Sequence, residues 1–153
     1  MAKYDDASWH YSGEFPKNLP KINGATHIGI FLEWCIQNDL MSEEQIDDFY
    51  EDILKVKDNQ MSGIEYLINN CDKKFSDNDL TEIGNDFAMA YYESDTEFGK
   101  QYSDYLSDYC QVLDNNTTKT IYHIENTSEN RKRMKSIIDK RFVEWKSYAA
   151  GKA

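Results

Sequence analysis

The sequence predicts an all-α fold: a single compact domain of about six helices behind an extended aromatic N-terminal arm. Three observations carry that expectation. Apolar residues recur at helical spacing along most of the chain, while strand alternation is nearly absent. Helix start signals recur, and those at Ser42, Ser62 and Ser76 each have an apolar pair placed for a hydrophobic staple. Pro16, Pro20 and Gly24 keep the segment before Thr26 irregular, dividing an arm and loop (1–25) from a helical body (26–149).

Taken in order, HIGIFLEWCIQNDL after Thr26, a candidate cap, forms the first helix. Ile28, Phe31, Leu32, Cys35 and Ile36 mark one face, and Ile30 and Trp34 widen it, so this helix belongs at the centre. Ser42 and Gln45 form a capping box for a second helix, with Met41 and Ile46 as staple. Ile46, Phe49, Tyr50, Ile53 and Leu54 face inward there, and Glu43, Glu44, Asp47, Asp48, Glu51 and Asp52 face out. Ser62 and Glu65 open a short third helix ending near Cys71. Ser76 opens a fourth, with Leu80, Ile83, Phe87 and Tyr91 inward. Ser94 to Glu97 opens a fifth with the stripe Phe98, Tyr102, Tyr105, Tyr109 and Val112. Thr120 to Ile124 reads as a short strand or extended crossing. The last helix starts near Thr127 or Ser128 and turns Met134, Ile137, Ile138, Arg141, Phe142, Trp145 and Tyr148 inward.

The formal net charge is −11. It argues against nucleic acid and anionic membrane, which need cationic surface, and favours a basic partner. Between Asp39 and Asp108 acids outnumber bases roughly four to one, whereas the final helix carries Arg131, Lys132, Arg133, Lys135, Lys140 and Arg141. No apolar run approaches the ~20 residues of a membrane span, and MAKYDD lacks the apolar region of a secretion signal. Cys35, Cys71 and Cys110 are odd in number and widely spaced, so they read as reduced residues of a cytoplasmic protein. On that reading Asn115 and Asn126 are loop residues rather than glycosylation acceptors.

Catalytic signatures are missing: there is no G-x-S-x-G, no H-E-x-x-H and no glycine-rich phosphate loop. No catalytic residue or cofactor is therefore assigned, and no enzyme is expected. The arm KYDDASWHY is the exception to a plain reading. Asp5, Asp6 and His10, with His27 at the first helix start, carry the donor types of a divalent metal site, although their spacing matches no known signature. The preferred reading is a structural clasp, with no metal, in which Tyr4, Trp9, Tyr11 and Phe15 anchor the arm over the helices while the aspartates and His10 lock it. Trp9→Ala is then expected to cost about 3–5 kcal/mol if the ring is fully buried. His123 has no readable company.

KYDDASWHY, EFPKNLP and ATHIGIFLEWCI resemble an uncharacterised bacterial domain family with this type of opening and an ATHIG-type helix start. The likeness is close over the first third and looser beyond it. It implies that Tyr4, Asp5, Asp6, Trp9 and His10 lie with Thr26, His27 and Gly29 in space. It also implies small cytosolic proteins, some associated with toxin–immunity loci of the contact-dependent inhibition or polymorphic toxin kind, and it implies no reaction.

The expected function is that of an immunity protein. It would bind a cognate toxin domain, a basic nuclease, and occlude its active site with an acidic face, touching neither nucleic acid nor membrane. Asp47, Asp48, Glu51, Asp52, Tyr91, Tyr92, Asp104 and Asp108 are the expected partner-binding residues, tyrosine for contact area and carboxylates for steering. The alternative is a metal- or ligand-binding enzyme built on the Asp/His cluster of the arm. Mimicry of a nucleic acid ranks below both, because the basic final helix would interrupt an acidic strip.

Overall fold

The structure, a computed structural model, describes residues 3–11, 15–113 and 120–151. Asn115 and the side chain of Tyr11 lie outside the described residues. The fold is mostly helical, with one small two-stranded sheet. Its axis is α2 (Thr26–Gln37), in which every residue from Thr26 to Ile36 is buried. A helix apolar around most of its circumference has to be surrounded, and α3 (Glu43–Lys57), α4 (Gly63–Asn70) and α8 (Ser128–Gly151) contact it. The closest approach is to α4. Gly29 faces Gly63 and Ile64, and a Cβ on either glycine would collide with backbone of the other helix.

Phe31 of α2 is the hub of the core. Its ring lies 5.0 Å from Tyr92, 5.1 Å from Tyr105 and 5.8 Å from Phe75, and further rings of Phe87 and Tyr91 close the cage. These residues come from β2 (Lys74–Ser76), α5 (Glu82–Tyr91), its C-cap Tyr92, and α7 (Tyr105–Leu113). The tyrosine stripe is therefore core, as edge-to-face and offset aromatic packing favours. α8 covers one side with Phe142 and Trp145, and Phe142 lies 5.2 Å from Trp34.

The arm is not extended throughout. β1 (Lys3–Asp6) pairs antiparallel with β2, with Asp5 opposite Phe75, and α1 (Ala7–Tyr11) adds one helical turn. Other starts also differ from expectation. Thr26 is already helical and caps nothing by its side chain. Ser76 caps a 3₁₀ turn at Asp77–Asp79, and Thr81 is the residue that caps α5. The expected fifth helix is two: α6 (Glu97–Gln101), capped by Thr96, and α7. Thr120 caps a 3₁₀ turn at Ile121–His123 instead of opening a strand. At α5 and α6 the cause is the same: neighbouring Ser and Thr residues are rival caps, and tertiary packing chooses Thr81 over Ser76 and Thr96 over Ser94.

The Ser42 and Ser62 starts hold. Ser62 and Glu65 make the full reciprocal box. At Ser42 only half of it forms, because Gln45 turns inward to accept from the Tyr66 hydroxyl (2.6 Å) and donate to Asp79 (3.2 Å). α3 leaves helical geometry at Phe49, so one apolar stripe cannot face the core along its whole length. Ile53 and Val56 are buried, while Ile46, Tyr50 and Leu54 are exposed, contrary to expectation. Ile83 of α5 is exposed too.

Cys35 and Cys71 are free thiols, Cys35 buried and Cys71 half-buried. Among the described residues no helix is long and apolar enough to cross a membrane.

The glycine crossing makes a direct test. Gly63→Ala should cost about 1–3 kcal/mol or more, because α2 and α4 must separate to admit the methyl group. Gly151→Ala, with nothing within 4 Å of the new carbon, should change stability little. Equal urea midpoints for the two variants would contradict the crossing.

Candidate functional site

The polar residues of the arm converge on one carboxylate. Asp5 sits on β1 where the strand meets α1, and the main chain of α1 is fixed by Ala7 N–H donating to the Lys73 carbonyl (3.0 Å). Asp5 Oδ1 accepts from the Asp6 amide (2.8 Å) and from His10 Nε2 (2.8 Å). Asp5 Oδ2 accepts from His27 Nε2 (3.0 Å) and from the Tyr92 hydroxyl (2.6 Å). Four donors thus arrive from β1, α1, α2 and the end of α5. The His10 and His27 rings meet edge to face with centroids 4.6 Å apart. His10 Nδ1 lies 2.7 Å from the Tyr122 hydroxyl, and Tyr122 is held by Asn23, which donates to its carbonyl, and by the Phe15 ring.

Burial by itself would raise the Asp5 pKa. The hydrogen bonds from His10, from His27 and from the Tyr92 hydroxyl outweigh it, and the carboxyl is held well below the usual carboxylate range. His27 is 1% exposed, and burial pushes its pKa down against the partial opposition of Asp5. Burial, with Asp5 alongside, pushes the Tyr92 phenol far up. At neutral pH the cluster is therefore an aspartate anion facing a neutral His27 and a protonated Tyr92. Since Asp5 only accepts, each imidazole presents Nε2–H to it, and His10 Nδ1 faces the Tyr122 hydroxyl.

Asp6 does not join them. Its Oδ1 accepts from the Ser8 amide (2.9 Å) and hydroxyl (2.7 Å), and its Oδ2 pairs with Lys3 (3.0 Å), so it starts α1. Tyr4 packs its ring on Phe75 and donates to Asn85. Trp9 is 52% exposed, with Lys3 Nζ 5.5 Å from its ring centroid, and is not the buried anchor expected. On a single helical turn Ala7 takes the inward direction, and Trp9, two residues on, points the other way. His123 bonds Thr120 locally.

Beside the cluster lies a cleft of about 440 Å³ with Asp5, His10, Tyr92, Glu93 and Asp104 in its walls. Among the described residues, Asp5, His10 and His27 form the group whose donor atoms are close enough to share a metal ion.

The expected partner-binding residues divide. Asp47, Asp48 and Glu51 are exposed on α3, and Asp52 is half-buried, accepting from Asn70 (2.9 Å). Asp104 is half-buried and accepts from the Ser107 amide at the start of α7. Tyr91, Tyr92 and Asp108 are buried; this agrees with the inward spacing of Tyr91 on its helix and corrects the assignment of all three to a partner-binding face. Tyr91 donates to Asp108 (2.7 Å), and Arg141 grips both Asp108 oxygens (2.9 and 3.0 Å), so these groups tie α5, α7 and α8 together.

Two groups escaped sequence reasoning. Glu33 is buried on α2, accepts from the Gly63 amide (2.8 Å), and pairs with Lys135 (2.6 Å) and Arg131 (3.5 Å). A lone acid in an otherwise apolar helix was the signal for it. Tyr122 reaches His10 across more than a hundred residues, and no local pattern announces it.

Removing the hub should be costly. Asp5→Ala strands three buried donors and should lose about 3 kcal/mol or more, whereas Trp9→Ala should lose under about 1 kcal/mol. Chemical denaturation of both variants checks this, and comparable losses would contradict the hub.

No curated protein and no solved structure matches the chain. A family model does, described as a domain of unknown function (DUF7832), over residues 3–124. That span takes in the arm, the Asp5 cluster, every helix up to α7 and the turn that carries Tyr122, and the chain belongs to this family.

Proposed function

We propose that this chain is a protein-binding module of the immunity type, which docks a basic toxin domain on the outer face of α3 and covers its cationic cleft. The observation that carries this reading is a pair of parallel rows on α3. Ile46, Tyr50 and Leu54, exposed by 38, 56 and 45%, follow i, i+4, i+8 spacing. Glu43, Asp47 and Glu51 follow the same spacing beside them, all exposed, with Asp48 next to them. Ile36, Met41 and Ile53 deepen the apolar row into a pocket of about 140 Å³. A tyrosine and two aliphatic side chains beside a small pocket, rimmed by acids, have the composition of a hot spot for a cationic partner.

The charge balance supports the same reading. The basic helix α8 spends Arg131, Lys135 and Arg141 on the buried acids Glu33 and Asp108. Among the described residues Asp47, Asp48 and Glu51 have no cation at ion-pair distance, so this face keeps its negative potential for a partner.

The test is co-expression with the C-terminal domain of the product of the gene immediately upstream. Killing by that domain alone, relieved by this protein, is expected. Tyr50→Ala should weaken binding about tenfold or more, and neutralising Asp47, Asp48 and Glu51 together should slow association and flatten its salt dependence. Killing that is not relieved, or rescue and affinity indifferent to both changes, would overturn the reading.

A further inference from the structure

We infer that Asp5, His10 and His27 form a binding site for a divalent transition-metal cation of the zinc or manganese class, open to the cleft beside them. The inference is independent of the docking face on α3.

The donor set comes first. Two imidazole nitrogens and one carboxylate oxygen suit these ions, and three protein ligands leave coordination positions for water or a small molecule. The spacing comes second. Metal–ligand bonds of about 2.0–2.2 Å place neighbouring donors about 3 Å apart. His10 Nε2 stands 2.8 Å and His27 Nε2 3.0 Å from the two Asp5 oxygens, and all three donors lie within 4.8 Å of one another. Side-chain adjustment alone then brings them around one ion.

The outer contacts come third. Metal-bound histidines and carboxylates are held by second hydrogen bonds that fix their orientation. Here Tyr122 holds His10 Nδ1, the Asp6 amide holds Asp5 Oδ1, and Tyr92 holds Asp5 Oδ2. Access comes fourth. His27 and Asp5 are buried, but His10 is half-buried and opens, with Asp5, onto the cleft, where Glu93 and Asp104 draw cations inward.

Without metal the same residues make the clasp described above, with both Nε2–H groups donating to Asp5. Metal binding moves each proton to the other ring nitrogen. His10 Nδ1–H then donates to the Tyr122 oxygen, and no proton leaves the imidazoles. Asp6 takes no part, because its Oδ1 is used by Ser8 at the start of α1 and its Oδ2 by Lys3.

The experiment uses untagged, full-length protein stripped with EDTA and titrated calorimetrically with zinc and with manganese. One ion per chain is expected, at micromolar affinity or tighter for zinc, and cobalt(II) in its place should show the visible bands of a protein-bound ion. His10→Gln replaces the most accessible ligand and should weaken binding at least about 100-fold. Tyr122→Phe, which removes only an outer contact, should weaken it about 10-fold. Circular dichroism of each variant confirms that it is folded. No saturable binding by the parent, or unchanged affinity in folded His10→Gln protein, would overturn the site.

Discussion

A negative charge buried at the junction of strand and helix organises this molecule. Taking the Asp5 carboxylate out of water costs several kcal/mol unless its lone pairs are filled, and they are filled by donors from four separate elements. The N-terminal arm can satisfy that requirement in one position only. β1 then lies beside β2 with Asp5 opposite Phe75, and α1 turns His10 toward α2. The same device recurs twice. Glu33 joins the start of α4 to α8, and Asp108 joins α5, α7 and α8. Three buried acids thus decide where the arm and the last helix dock, while Phe31 and the aromatic rings around it supply the non-directional part of the stability.

The same pairing explains the uneven surface. α8 is rich in lysine and arginine, yet three of these side chains turn to buried acids rather than to the exposed acids of α3. Charge segregation along the sequence is therefore resolved inside the fold, and what remains outside is an acidic helix with an unused apolar row. The two candidate sites rest on different residues, so each can be removed without touching the other.

How far the sequence discloses this depends on the range of the interaction. α2 is legible because its apolar positions run around the whole helix, and the starts at Ser42 and Ser62 because capping is local. The β1–β2 pair is not, since Lys74–Ser76 finds its partner some seventy residues away and reads locally as a cap. In the site, Asp5, His10 and His27 stand out as polar residues within an aromatic arm and at the head of a buried helix. Their partners Tyr92 and Tyr122 do not, because a tyrosine that donates to a buried group looks the same in sequence as one on a surface. Tyr91 and Tyr92 therefore read equally well as core and as contact residues. The readable counter-signal is Arg141 on the inward side of the last helix: a guanidinium turned toward the core requires an acid beside it.

The central claim is that Asp5 is an anion held by its donors. Because folded Asp5 binds its proton more weakly than the unfolded chain does, its contribution to stability is complete above the ordinary carboxylate range and is lost as pH falls toward the folded value. The direct measurement is an NMR pH titration of the Asp5 side-chain carboxyl carbon in EDTA-treated protein. The account predicts no protonation at the ordinary aspartate pKa of about 3.9, with the shift appearing only well below it or at acid unfolding. Titration at or above that value in the folded protein would mean that the donors do not hold the charge, and would contradict the account.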